Sequence, residues 1–296
     1  MSAAVSILIP ARNEADNLPA CLESAKFADE RIVVDSGSRD GTREAALAGG
    51  AQIVDFEWNG KFPKKKNWAL ANVPWRNEWI FILDADERIT PALADEIGRV
   101  VASPDADGYY VNRRFWFLDG WLAHCGYYPS WNLRLFRHRL GRYEQLFEAE
   151  DTGSGDNEVH EHLILKGKTS RLANEMEHYA FPTIDAWVEK HNRYSNWEAA
   201  LLNSSRAGPA AARAAIDPAL ARKRRIKHFA RRLPCRPTLR FLYHYVLRAG
   251  FLDGYRGFVF CRLMSFYELL SSAKAAELRR AAARSGQHSR FPAKKL

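Results

Sequence analysis

Over the first hundred residues, short apolar runs alternate with stretches whose apolar positions recur at helical spacing. Residues 5–9 (Val-Ser-Ile-Leu-Ile) form a β-rich run that Pro10 is expected to stop, and residues 15–28 place Leu18, Leu22 and Ala25 on one helical face. A second apolar run at 31–35 leads into the turn-rich Ser36-Gly-Ser-Arg-Asp-Gly41, after which 42–49 reads as a helix and 51–55 as a strand. Residues 65–72 give the next helix, 79–83 a fourth strand, and 91–101 a further helix behind Pro91. Strands alternating with helices imply a parallel sheet covered on both faces. Ligands in such sheets sit at the carboxyl ends of the strands. Asp35, the segment after Ile9 and the Asp84-Ala-Asp86 sequence all fall there.

Residues 107–182 are less regular, with aromatic strands expected at 109–111 and 115–117. A helical pattern returns over 184–202 through Trp187, Val188, His191, Tyr194 and Trp197. Gly208-Pro209 reads as a boundary between a first domain over 1–205, divided near residue 100, and an extension over 206–296. Beyond it lie an Ala/Arg-rich stretch and an aromatic one.

Composition separates the same two parts. The chain has 296 residues with a net charge of +9, but residues 1–205 hold 23 Lys and Arg against 31 Asp and Glu, a net of −8. Residues 206–296 hold 21 Lys and Arg against 4 acids, a net of +17. Such asymmetry points to an anionic partner, nucleic acid or an acidic membrane surface. The run 222–232 (RKRRIKHFARR) carries eight basic residues, counting His228, and is followed by aromatic and aliphatic residues interrupted by Arg248, Arg256 and Arg262. Too charged to span a bilayer, this segment suits an interface, where apolar faces meet the headgroup boundary and cations meet anionic lipid. No apolar run approaches the roughly 18 residues of a spanning helix, and no signal peptide is expected at the start. The four scattered cysteines fit reduced thiols in a cytosolic protein.

Asp84-Ala85-Asp86 behind an apolar strand is the sharpest local signal. Two carboxylates one residue apart at a strand end can hold Mg²⁺ or Mn²⁺, with water and substrate phosphates filling the remaining positions. Such a cation stabilises a departing diphosphate. Asp35 either accepts from a base or ribose or caps the following turn. Lys64-Lys65-Lys66 either faces phosphates or forms a solvated loop.

Taken together, Ile9-Pro-Ala-Arg-Asn-Glu14, Asp35-Ser-Gly-Ser-Arg-Asp-Gly-Thr42, Lys66-Asn67-Trp-Ala-Leu70 and Leu83-Asp-Ala-Asp-Glu87 resemble, in order and spacing, the family 2 glycosyltransferases of the GT-A fold. Trp58-Asn-Gly60, Asp84-Ala-Asp-Glu-Arg88, Val159-His-Glu161 and Gly250-Phe-Leu-Asp-Gly254 are similar to the bacterial lipopolysaccharide-core and exopolysaccharide glucosyltransferase branch. That resemblance implies an α/β, Rossmann-like, mostly parallel sheet with flanking helices. It implies a UDP-sugar donor whose uracil and ribose are held by Pro10, Arg12, Glu14 and Asp35. Lys66 would lie near the diphosphate, Asp84 at the sugar or ribose, and Asp86 on the metal, with His178 near it. Lys190 resembles a recurrent family lysine. The inverting reaction needs one base; Glu161 is the first candidate, and the Glu150-Asp151 pair the second. The expected acceptor is a lipid-linked saccharide, reached from the cytoplasmic face of the membrane, with no nucleic-acid partner. The rival readings are a nucleic-acid-binding protein using the basic extension, and a catalytically inactive scaffold.

Overall fold

In the computed structural model, residues 2–145, 156, 162–203 and 235–288 are described below. By internal packing the chain forms two units, one over Met1–Asp151 and Gly155–Pro182, the other over Thr152–Ser154 and Thr183–Leu296.

The first unit is built on a nine-stranded sheet in the order β3-β2-β1-β4-β8-β6-β11-β5, with β7 paired to β6. Its parallel half comprises β1 (Ala3–Ala11), β2 (Ala28–Asp35), β3 (Gln52–Asp55) and β4 (Trp79–Ile82). Its mixed half comprises β8 (Trp131–Arg137), β6 (Gly108–Phe117), β11 (Thr169–His178) and the short β5 (Glu87–Ile89), with β7 (Gly120–Trp121) beside β6. A separate ribbon joins β9 (Gly141–Tyr143) to β10 (Leu163–Leu165). In the nine-stranded sheet four pairings are parallel and four antiparallel: β8 runs against β4 and β6, β5 against β11, and β7 against β6.

Alternation along β1 sets the two cores. Val5, Ile7 and Ile9 join Leu18 and Leu22 of α1 (Leu18–Ser24) and Leu93 and Ile97 of α4 (Pro91–Ala102) on one face. Leu8 joins Ile80, Ile82, Phe136 and Ala69 of α3 (Lys65–Asn72) on the other. Helices thus cover both faces, with α2 (Thr42–Ala48) between β2 and β3. Thr90 caps α4 by accepting from the Leu93 amide at 3.3 Å, ahead of Pro91 in the first turn.

Pro10 does not stop β1; it stays in register with Val34, and the strand runs to Ala11. The carbonyl of Ala11 accepts from Ser36 on the β2 side, so Pro10, one residue earlier, faces β4. The β1–β4 ladder ends at Leu8 and Ile82, so the missing proline N–H costs no sheet bond. The helix expected over 15–28 is only Leu18–Ser24, because residues 14–17 form a turn and Ala28 already belongs to β2. β6 is one strand where two aromatic pieces are expected. In β11 an irregularity falls between Arg171 and Glu175, and the Ala173 and Asn174 amides freed there donate to the Glu96 carboxylate at 2.7 and 2.8 Å.

The second unit is helical: α5 (Ile184–Asn203), α6 (Arg236–Leu242), a π-helical turn Tyr243–Leu247, a 3-10 turn Gly250–Asp253 and α7 (Gly254–His288). Lys274 of α7 donates to the Asn192 and Asn196 side-chain oxygens of α5 at 2.7 and 2.6 Å. Among the described residues no helix is long and apolar enough to cross a membrane. All four cysteines are free thiols, with Cys235 alone exposed.

Candidate active site

At the carboxyl edge of the parallel half, the loops after β1 and β2 are stitched together. Asn13, in the left-handed region at φ 55°, donates its amide to Ser38 Oγ at 2.9 Å and accepts the Arg39 amide at 2.8 Å. The Glu14 amide donates to Thr42 Oγ1 at 2.8 Å, while the Glu14 carboxylate accepts from Asn17 at 2.9 Å. Pro10 is buried and Arg12 exposed on this edge. The Asp35 side chain is buried; it accepts from the Ser38 amide at 3.2 Å and from its hydroxyl, and lies 3.5 Å from Arg43 Nη1. Asp35 therefore shapes the β2 turn, and a carboxylate has acceptor capacity beyond those bonds.

Three consecutive polar residues open α3, and all are buried. Lys65 Nζ donates to the Ala11 carbonyl at 2.9 Å and lies 3.1 Å from the Asp156 carboxylate. Burial pushes its pKa down, with Asp156 opposing. Lys66 Nζ lies 2.9 Å from Asp84 Oδ1 and 5.5 Å from the centre of the Tyr143 ring. Asn67 clamps the Tyr143 backbone, accepting its N–H at 2.8 Å and donating to its carbonyl at 3.0 Å. The lysine run is thus not a solvated loop at Lys65 and Lys66.

Asp84 is held from two sides. Arg134 Nη2 of β8 lies 2.8 Å from Asp84 Oδ2 and also bonds the fully buried Glu87, which Arg113 of β6 approaches at 3.0 Å. Glu87 closes the turn by accepting the Asp84 amide at 3.0 Å, while its own amide donates to the Asp84 carbonyl at 2.9 Å. Burial alone would raise the Asp84 pKa, but Lys66 and Arg134 hold it well below the usual carboxylate range. The same anions keep Lys66 and Arg134 firmly charged against burial. Lys66, Arg134 and Arg113 against Asp84 and Glu87 make a cluster of three cations and two anions. Such an edge is suited to polyanions.

Asp86, two residues on, lies in different company. Its carboxylate is 3.5 Å from His178 Nε2 at the end of β11, and its carbonyl accepts the Tyr179 amide at 2.8 Å. Phe115 packs edge-on to the His178 ring at 5.4 Å. A carboxylate oxygen beside an imidazole nitrogen is a donor pair that Mg²⁺ or Mn²⁺ accepts. No group of three or more such ligands exists among the described residues. A cation here would complete its shell from water and a phosphate-bearing substrate, as Mg²⁺ commonly does. The residues present fit that arrangement: Asp86 and His178 would be the ligands, while Asp84 pairs with Lys66 and Arg134.

Sequence reasoning brought together Lys66, Asp84, Asp86 and His178 and missed Arg134, Arg113 and Asp156. Arg134 had a signal: an arginine between Leu133 and Leu135 in an apolar run needs a buried partner. The base candidates Glu161, Glu150 and Asp151 lie outside the described residues.

Residues 6–155, about half of the chain, match the family model described as Glycosyl transferase family 2. The lipopolysaccharide core biosynthesis glycosyltransferase LpsC of Rhizobium meliloti is 30% identical over 210 residues, covering 66% of this chain and 70% of that protein. A TPR repeat-containing protein of Synechococcus elongatus is 36% identical over 139 residues, 46% of this chain; the chain spans only 32% of that relative's length. A solved glucosyl-3-phosphoglycerate synthase from Mycobacterium tuberculosis, in complex with Mn²⁺, UDP and glucosyl-3-phosphoglycerate, is 17% identical with a TM-score of 0.39, covering 66% of this chain and 78% of that one. With the family model across the parallel half and its polar edge, and with LpsC similar over two thirds of its own length, the chain belongs to the family 2 glycosyltransferases and has their GT-A type of fold.

Proposed function

We propose that the enzyme moves a hexose, with glucose the expected sugar, from a UDP-sugar to a lipid-linked glycan acceptor in cell-envelope polysaccharide or lipopolysaccharide-core synthesis, inverting the anomeric centre. The observation that carries this reading is the division of labour within Asp84-Ala85-Asp86. Asp84 is locked between Lys66 and Arg134, whereas Asp86 stands beside His178. The similarity to LpsC supports the envelope assignment.

In this reading Pro10, Arg12, Glu14 and Asp35 hold the uracil and ribose on the stitched loops after β1 and β2. Lys66 and Arg134, fixed in place by Asp84, present positive charge to the diphosphate as its negative charge grows. Because their positions are set before substrate arrives, little reorganisation is needed during the reaction. Asp86 and His178 would hold Mg²⁺ or Mn²⁺, which would supply positive charge beside the diphosphate. The acceptor hydroxyl attacks the anomeric carbon as the bond to the UDP oxygen breaks. Its proton goes to a carboxylate, Glu161 first, with Glu150 or Asp151 the alternatives. The enzyme would act as a peripheral protein on the cytoplasmic face of the membrane, where a soluble donor and a lipid-borne acceptor meet.

The test is UDP, GDP and dTDP release from a panel of nucleotide-sugars, with membrane extract as acceptor and Mn²⁺ or EDTA present. Release from one UDP-hexose, lost with EDTA, is the expected result. Absence of metal-dependent turnover of every donor overturns the reading. Glu161→Gln should keep UDP binding and lose transfer; transfer at the parent rate moves the base to Glu150 or Asp151.

A further inference from the structure

We infer that the turn joining α6 to α7 is a lipid-seating tip, whose apolar residues enter the headgroup region of an anionic membrane while its arginines meet the lipid charge. This rests on the peripheral-membrane part of the reading above and names the element responsible. Leu247, Leu252 and Tyr255 are 76%, 61% and 78% exposed, and Tyr243, Val246 and Phe251 beside them are also exposed. Six large apolar side chains facing outward within thirteen residues of one turn are unusual for a surface meeting only water.

The turn is tightly built. Ala249 reverses the chain at φ 55°, with the Leu252 amide donating to its carbonyl at 2.9 Å. The two arms approach so closely that a Cβ at Gly257 would sit 2.1 Å from the Gly250 carbonyl oxygen. Behind the tip, Phe241 stacks on Tyr245 at 5.1 Å, Phe258 packs against Tyr245 at 5.8 Å, and the Arg262 guanidinium lies 4.2 Å from the Phe241 ring centre. Phe241, Tyr245 and the part-exposed Phe258 therefore pack on one another and hold the turn, while a second set is presented outward.

Charge identifies the occupant. From 236 to 262 there are five arginines and a single acid, Asp253. Arg236 and Arg240 are held by Glu268, farther along α7. Arg248 and Arg256, which flank the apolar tip, form no ion pair among the described residues. A cationic rim around an apolar centre matches an anionic bilayer surface. A second copy of the chain would instead bring two arginine rims together. The tip is too short to cross a bilayer, so it would lie in the interface.

The full-length protein is tested by flotation with phosphatidylcholine vesicles, with and without phosphatidylglycerol. The parent should float with the anionic vesicles. Leu247→Glu with Leu252→Glu should bind them at least tenfold more weakly, at an unchanged unfolding midpoint, since both side chains are exposed. Arg248→Gln with Arg256→Gln should weaken anionic binding about thirtyfold and leave neutral vesicles unaffected. The emission that Leu247→Trp adds to that of the nine native tryptophans, taken as the difference from the parent, should shift blue and be quenched by brominated lipid. The inference is overturned if the parent stays off anionic vesicles or the double-glutamate variant floats like the parent. It is equally overturned if the indole of the Leu247→Trp variant remains unquenched, since binding would then come from the basic run 222–232. A change in the sedimentation coefficient alone, caused by the glutamates, would also overturn it and assign the tip to self-association. Donor turnover plays no part in these readouts, so failure of the transfer reading is seen separately.

Discussion

In the parallel half of the sheet, β4 and the carboxyl halves of β1 and β2 are apolar, and at that edge polar groups begin only where the strands stop, at Asp35 and Asp84. In the mixed half polar and charged groups lie in mid-strand: Asn112, Arg113 and Arg114 in β6, Arg134 in β8, and Glu175 in β11. The first half supplies a backbone edge, Asp84 and the Lys66 that pairs with it, and the second supplies Glu87 together with the two arginines that let it be buried. Glu87 can be fully buried because β8 and β6 bring Arg134 and Arg113 to it, while Asp84 is held between Arg134 and Lys66. A site built this way can be broken from either side, and the two kinds of damage should look different.

The largest effect is expected at Asp86, whose role in the proposed reaction lies in binding the cation rather than in holding the fold. Asp86→Ala should lower donor turnover by about a thousandfold or more while the unfolding midpoint stays near that of the parent. Nucleotide release measured beside thermal unfolding checks this. Turnover within tenfold of the parent would remove Asp86 from the metal.

Arg134→Met should damage stability first. It leaves the fully buried Glu87 with one cation instead of two and strips Asp84 of one partner, a loss on the order of 3–5 kcal/mol. Denaturant unfolding reads it directly. A loss below about 1 kcal/mol would mean that the arginine is not needed for burying the two acids, and the comparison between the halves would fail.

The same contrast explains what could be read from sequence. The parallel half was legible because each of its strands contains an apolar run and its helices start behind clear breaks; α3 spans Lys65–Asn72, as its pattern implies. The mixed half was not, because a strand that carries Asn112, Arg113 and Arg114 in its middle resembles two strands and a loop. Those side chains are satisfied by Glu175, Glu87 and Ser130, partners that lie between 17 and 63 residues away in the chain. β5 is only three residues long and gave no periodicity to read. Asp84, Asp86 and Lys66 could be singled out as candidates because they stand in motifs. Arg134 stands in none, and its pairing depends on a strand order that local patterns do not encode.

Asn67 tests the parallel half with a neutral group. Asn67→Ala removes two hydrogen bonds to the Tyr143 backbone and leaves a buried N–H and C=O without them, costing about 2 kcal/mol. Because Lys66, next in the chain, would keep Asp84, donor KM should rise by less than tenfold. A collapse of turnover at intact stability would mean that the Tyr143 clamp positions substrate directly.

Glu175 provides the smallest and most discriminating test, since it lies in the mixed half outside the Asp84 cluster. It accepts from Asn112 Nδ2 at 2.6 Å and Tyr128 Oη at 2.5 Å, and pairs with Arg114. Burial works to raise its pKa, but hydrogen bonds from Tyr128 and Arg114 outweigh it and leave the value below that of an ordinary glutamate. A depressed carboxylate pKa contributes stability that is fully present above the unfolded value and disappears as pH falls through the folded one. Glu175→Gln should therefore cost about 1 kcal/mol at pH 7, and the gap from the parent should close from about pH 4 downward as the parent's own carboxylate takes up its proton. Denaturant midpoints for both proteins at neutral and acid pH decide it. A gap that persists unchanged in acid would mean that Glu175 matters by shape and not by charge, and that the mixed half uses ionised groups only where it faces Asp84.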